Sequence, residues 1–390
     1  QLKRHVQMGF KRIPIPLLVI GVHQKSEGYP NTLFRLRDME ESHLFQLTEI
    51  NTPMLTKSKR SQNRVFHKVN LILHGLHAHF KLIAKLILLK HRGNAYIPYP
   101  ATFLLLLLSI FPKKYRPRLI VADTFISLFD TVVLDRTLMR EDALTSRLLK
   151  WVERRACHCA DILVSDTEES KKFLCDTFEL STSKVVVIPL STDEKNFKFS
   201  PYTARTDYCR VLFIGTLVPL HGIATILEAV HIASSRAAIK FKLVGDGQDA
   251  QVVEHWQKEH GSFFEWERIW QTSSELAEAI SEADICLGIF GGGDKTQRVC
   301  PFKIYAYAAV GRPIISGDTK WLARTRGLFG KEIIAGVPAG ESLALANKIV
   351  ELAATPEMRV RLAEESAYFY KMQLTNRRAT KMLHEIFRVP

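Results

Sequence analysis

The chain has 390 residues, 46% of them apolar and 24% charged, which is too long for one ordinary hydrophobic core and too apolar for a disordered chain, so two globular domains are expected. Its formal net charge of +14 is one-sided: residues 1–120 hold 20 Lys and Arg against 5 Asp and Glu, and the remainder holds 34 against 35. A basic first third suits nucleic acid or an anionic bilayer; the sequence carries no RNP aromatics, zinc finger or KH-type glycine loop, so an anionic membrane surface is the preferred partner over nucleic acid.

In chain order, QLKRHVQMGF reads as a helix ending near Gly9, followed by a strand over 15–21. An α/β domain rarely opens on a crossover helix, so a first strand and its loop are expected upstream of Gln1, or lost. A long helix over 66–91 mixes apolar positions with Lys68, Lys81, Lys85 and Lys90; it fits equally a core helix with a basic outer face and a helix lying in a headgroup layer. The run FLLLLLSIF (103–111) is nine residues long, against about 20 for a membrane span, and reads as a buried domain helix. His74, His77 and His79 read as surface or interface histidines, because only the first two share a helix face and no acidic ligand adjoins them. The six cysteines are scattered among apolar or helical surroundings, as reduced structural thiols of a cytoplasmic protein would be.

Further strands are expected over 94–98, 118–122, 161–165, 184–189, 210–214, 239–244, 284–288, 312–316 and 332–335. Helices fall between most of them, over 101–111, 141–158, 167–175, 222–235, 249–259, 273–282, 303–310, 342–354 and 357–372. Such alternation predicts parallel sheets with helices on both faces, in two doubly wound, Rossmann-like domains that face each other across a cleft. The expected boundaries are residues 1–190 for the first domain, 191–208 for a polar linker with Pro201, and 209–366 for the second domain. Residues 365–387 form a further amphipathic helix.

Ligands bind such sheets at the carboxyl ends of their strands, and three loops there carry chemistry. In RVLFIGTLVPLHGIATILEAV (210–230) a strand runs through Gly215-Thr216 and His221-Gly222 into a helix, which presents bare N–H groups to an anion. In FKLVGDGQDAQ (241–251) a strand ends at Gly245-Asp246-Gly247, where the absence of side chains permits close backbone approach. In ADICLGIFGGGDKTQRVCPFKIYAYAAVGRPIISGD (283–318) a strand meets Gly291-Gly292-Gly293, then Lys295, Gln297, Arg298 and, after Pro301, Lys303 at a helix start. Three cations, a glycine turn and a helix N-terminus make an anion site. A diphosphate suits it better than a monophosphate, because helix ends near 222 and 303 would flank it.

These segments, with ADILVSDTEESKKFL and KVVVIPLSTDEKNF ahead of them, resemble the retaining nucleotide-sugar glycosyltransferases of the GT-B fold, family-4 type, over roughly residues 118–370. The resemblance implies a nucleoside diphosphate sugar held by the second domain, an acceptor on the first, and a final helix (367–390) that crosses back to the first domain. It places Gly215, Thr216, His221 and Gly222 beside the donor phosphates, Lys303 and Arg298 on the diphosphate, and Ile269 to Gln271 at the base. Gly245, Gly247, Gly292 and Gln297 complete the implied donor site. His221 stands where many relatives carry lysine. Arg298 and Ala306 stand where many carry a pair of glutamates, the later one gripping the ribose, so this chain lacks both carboxylates. On the first domain, Asp123 ends a strand where relatives often carry a histidine beside acceptor and sugar. Asp130 follows as a second candidate, and Asp135–Arg136 as a structural ion pair.

The implied activity is transfer of a sugar to a hydroxyl of a saccharide or lipid-linked acceptor, in cell-surface polysaccharide or glycolipid synthesis. Neither a metal nor another cofactor is expected, and the expected location is the inner face of the membrane, peripherally bound. Two other readings are a non-catalytic sugar-nucleotide-binding subunit of a polysaccharide assembly complex and a nucleotide-sugar epimerase on the same fold.

Overall fold

A computed structural model of the chain describes residues 13–53, 64–90, 92–261, 263–269 and 271–388, and main chain alone over 64–73. The helix expected at the N-terminus lies outside the described residues. Two six-stranded sheets, parallel throughout, form two lobes. The architecture is α/β, with helices packed on both faces of each sheet.

The first sheet contains β1 (Ile15–Gly21), β2 (Phe45–Asn51), β3 (Asn94–Ile97), β4 (Leu119–Asp123), β5 (Ile162–Ser165) and β6 (Val185–Val187), in the order β2-β1-β3-β4-β5-β6. Its inner strands are apolar on both faces, as a covered parallel sheet requires. Leu18, Ile20, Ile97 and Ile120 pack against α2 (Arg64–Leu89), α3 (Thr102–Ile110), α4 (Leu144–Cys159) and α5 (Glu168–Phe178). The alternate residues Leu17, Val19, Tyr96 and Val121 pack on the opposite side against α1 (Pro30–Glu41) and the final helix.

The second sheet contains β7 (Cys209–Ile214), β8 (Ile239–Val244), β9 (Phe264–Glu267), β10 (Ile285–Leu287), β11 (Ile314–Gly317) and β12 (Ala335–Val337), in the order β12-β11-β10-β7-β8-β9. Around it lie α6 (Ile223–Ser234), α7 (Ala250–His260), α8 (Ser273–Glu282), α9 (Phe302–Val310), α10 (Lys320–Phe329) and α11 (Ser342–Ala354). The chain then runs through α12 (Pro356–Phe369) into α13 (Asn376–Arg388), whose Ala379, Leu383 and Phe387 are buried against the first sheet.

Between the lobes, Leu190 to Asp193 are buried. Asn31 Oδ1 accepts from Ser191 N at 2.8 Å, and Asn376 bonds both polar groups of the Thr192 backbone, so α1 and α13 pin this crossing. The sequence pattern missed α1, β2, β9 and α10. Strands β2 and β9 are sheet edges, and their FQLTEIN and FEWE runs break the apolar pattern with exposed polar residues, as edge strands do.

Candidate active site

In the second sheet the connections from β7 and from β10 depart in opposite directions, which opens a crevice at the carboxyl ends of these two strands. The β7 loop ends in Gly222, whose φ of +65° would strain any other residue, and α6 starts directly after it. The β10 loop reaches Pro301, and α9 starts at Phe302. The two loops are tied: Phe290 N donates to His221 O and Gly291 N to Leu220 O, both at 3.1 Å. Two positive helix ends therefore flank one crevice.

The β8 loop closes the floor. A Cβ on Gly245 would lie 1.8 Å from the Gly215 carbonyl oxygen, and one on Gly247 would lie 1.7 Å from that of Thr216. Glycine here lets one backbone lie on another.

A cavity of about 410 Å³ opens at this point, with Gly215, His221, Ile269, Gln271, Lys303 and Ala306 among its walls. Lys303 is the buried charged residue of its lining. The side chain is buried, and Nζ has no hydrogen-bond partner among the described residues. Nζ lies 3.8 Å from the Phe213 ring centroid, and a Cβ added at Gly215 would come within 2.8 Å of it. Burial without a counter-charge pushes this ammonium well below the usual lysine range. His221 is buried beside it, and desolvation, then the Lys303 charge, hold its imidazole well below the ordinary value. Val218 N–H donates to His221 Nδ1 at 3.5 Å, so the neutral ring carries its proton on Nε2 and is a donor there. The arrangement sets a buried cation and a neutral donor beside two helix ends, with Asp246 and Arg268 paired to each other on the same wall.

At the far end, Trp266 Nε1 donates to Gly245 O at 2.9 Å and Gln271 Nε2 donates to the Glu267 carboxylate. Ile269 stands exposed at the rim. Between these ends the walls are chiefly apolar: Ile214, Val244, Ile280, Phe302, Ala306 and the Tyr307 ring. Tyr307 OH is engaged with Ile214 N at 3.0 Å. The first lobe closes the mouth, where Glu27 Oε2 accepts from Ser273 N at 2.9 Å, at the start of α8. Neither Glu27 nor Phe302 stood out in the sequence. Glu27 adjoins Gly28 in the β1–α1 loop, which the sequence pattern did not single out, and Phe302 has the pattern of ordinary helix core.

Six expected site residues do not line the cavity: Gly222 and Gly247, which shape its loops from behind, and Gly292, Gln297, Arg298 and Asp123. Arg298 Nη2 donates to Asp130 at 2.7 Å, its Nε donates to Asp294 at 3.0 Å, and its guanidinium stacks 3.8 Å from the Phe173 ring centroid. Two carboxylates already neutralise it, and the structure ties it to the first lobe through Asp130. Gln297 Oε1 accepts from Lys320 N at 3.2 Å, and a Cβ on Gly292 would meet nothing within 4 Å. Asp123 is sealed in the first lobe, where Arg35 Nη1 donates to it at 2.8 Å and Tyr96 OH at 2.6 Å. Both oxygens are engaged and the side chain is buried, so an acceptor hydroxyl does not reach it in this structure. Asp135 pairs with Lys295, at 3.4 Å, and not with Arg136.

Residues 208–355 match the family model described as glycosyl transferases group 1. The second lobe is a glycosyltransferase domain. Around this glycosyltransferase domain the whole chain has the fold of solved GT-B structures. The sucrose-phosphate synthase of Thermosynechococcus elongatus superposes with a TM-score of 0.73 at 15% identity, covering 96% of this chain and 98% of that one. HepE of Anabaena, solved in complex with UDP, gives 0.65 at 13%, covering 95% and 99%. A glycosyltransferase of Rickettsia africae gives 0.61 at 12%, covering 96% and 98%. No curated protein sequence matches the chain.

Proposed function

We propose that this glycosyltransferase moves a sugar, with retention at the anomeric carbon, from a nucleoside diphosphate sugar to a hydroxyl of a saccharide or lipid-linked acceptor at an anionic membrane surface. The observation that carries the reading is the buried, unpartnered Lys303 ammonium between two helix N-termini. A buried lone cation costs stability unless a ligand supplies the missing anion. The HepE complexes with UDP and UDP-glucose support that ligand class on the same fold.

In the reaction, the bond from anomeric carbon to phosphate oxygen breaks as the bond to the acceptor oxygen forms. Charge develops on the diphosphate, where Lys303, His221 Nε2–H and the helix ends are already oriented, so little reorganisation is needed. With Asp123 sealed, the acceptor proton passes to the departing phosphate oxygen. Closing the first lobe over the mouth, through Glu27, limits hydrolysis.

A non-catalytic sugar-nucleotide-binding role is the second reading, favoured by Ala306 and the apolar wall around it. A thermal-shift panel of UDP-, GDP-, ADP- and dTDP-sugars, with Lys303→Ala as control, tests the site. One donor class is expected to stabilise the wild type and leave the variant unshifted; equal shifts in both would sink the assignment. Release of the nucleoside diphosphate from that donor, with or without acceptor, separates the enzyme from the binding subunit.

A further inference from the structure

Residues 50–122 contain no Asp or Glu and 13 Lys or Arg. Helices α2, α3 and α4 lie side by side on one face of the first sheet, joined by the His79–Phe103 ring contact and by Arg155 Nε donating to Ser109 Oγ at 3.3 Å. Their inner faces make the core with Leu82, Leu104 and Ala156. Their outer faces remain apolar. Among the described residues 20 large apolar side chains are exposed, and 13 of these fall between residues 76 and 151. On α4 they recur at Leu144, Leu148 and Trp151, which are 80%, 59% and 58% exposed and share one helix face. Phe80 and Leu88 on α2 and Phe103 on α3 extend the patch.

Cations interleave with this patch. Lys81, Lys85, Lys113, Arg147 and Lys150 are exposed, and none has an ion-pair partner among the described residues. The acids at its edge are otherwise occupied or peripheral: Asp142 pairs with Arg140, Glu141 precedes α4, and Glu153 is buried under three donors from Ser127, Leu128 and Phe129. No helix among the described residues is long and apolar enough to cross a membrane.

We propose that the outer face of α2, α3 and α4 docks on an anionic lipid bilayer, with Leu148 and Trp151 entering the boundary between headgroups and acyl chains while Lys81, Lys85, Arg147 and Lys150 meet lipid phosphates. A nucleic acid would satisfy the cations and leave the leucines and tryptophan in water. A bilayer surface satisfies both sets at once, because lysine and arginine stems lie along apolar surface with their heads outward. The inference specifies the surface behind the membrane-bound acceptor of the proposed function and rests on that reading for its purpose, while the docking itself stands on the face alone.

Co-sedimentation of the full chain with phosphatidylcholine vesicles, with and without phosphatidylglycerol, is the test. Binding is expected to be at least roughly tenfold tighter with phosphatidylglycerol. Leu148→Ser combined with Trp151→Ser is expected to weaken it about tenfold at low salt, and Lys81→Glu with Lys85→Glu to do the same by a separate route. Both variants should retain the nucleotide-sugar thermal shift, which also shows that they fold. Equal binding to both vesicle types, or undiminished binding by both variants, overturns the proposal. So does an absence of vesicle binding together with either a lipid-free dimer abolished by the serine variant or salt-sensitive retention of RNA or DNA. A wild type that binds vesicles but shifts with no nucleotide sugar refutes the donor-site reading and leaves the docking face standing.

Discussion

Lys303 and Arg298 lie five residues apart on one connection, and each is 7% exposed, yet their electrostatic settings are opposite. Arg298, with Lys295, is spent on the first lobe: Asp130 and Asp135 lie on a π-helical turn (Asp130–Asp135) and neutralise both cations, and Thr131 Oγ1 is 2.9 Å from Lys295 Nζ. Thr167 Oγ1 also donates to Arg298 O at 2.6 Å. Lys303 has no such partner among the described residues. One end of the loop therefore clamps the lobes together, and the other leaves a buried charge without a hydrogen-bond partner among the described residues. Equal burial does not mean equal role; the number of carboxylates within reach decides it.

The largest expected break in this contrast is Lys303→Met. Turnover should fall by about 10²–10³-fold, as when a single charge-stabilising donor is removed. The melting temperature of the ligand-free protein should nevertheless rise, because an uncompensated buried charge is gone. Calorimetry and a donor-turnover assay check both signs; a fall in both would mean that Lys303 is structural.

Arg298→Met should do the reverse. It leaves Asp130 with Lys295 as its ion-pair partner among the described residues, at 3.6 Å, and should lower unfolding stability by about 3–5 kcal/mol. Affinity for the nucleoside diphosphate should stay within about twofold, since the two side chains share no partner. Denaturant titration and isothermal calorimetry measure the two quantities, and a large loss of affinity would return Arg298 to the donor site.

The smallest effect is a pH dependence with two signs. Lys303 is held well below the ordinary lysine value of 10.5 in the free fold, so between these two values the unfolded chain binds more protons, and ligand-free stability rises with pH. A bound diphosphate raises the same group, so binding takes up a proton and affinity falls as pH rises through the free-fold value. Lys303→Met should flatten both curves. Affinity that stayed constant with pH in the wild type would argue against an anion on this ammonium.

Much of the fold was legible because it follows from period and punctuation. Ten of the strands announce themselves as short apolar runs, and Pro301 and Gly311 bracket α9. The helix start that carries Lys303 and the glycines at 215, 222, 245 and 247 could be found the same way, since they punctuate strand ends and a helix start, although the backbone contacts that require Gly245 and Gly247 are long-range. The edge strands β2 and β9 were not legible, because half of each faces water and dilutes the pattern.

From residue order alone follow two alternating α/β halves, a helix start that carries Lys303 and a first third with far fewer acids than bases. Long-range packing settled which of three neighbouring cations stays free, that Asp123 is sealed by Arg35 and Tyr96, and that Glu27 reaches the mouth of the cavity from the other lobe. Helix starts and turns are properties of adjacent residues, whereas the state of a charge depends on partners 88 to 246 positions away in the chain, which only the packing of the two lobes brings within hydrogen-bonding distance.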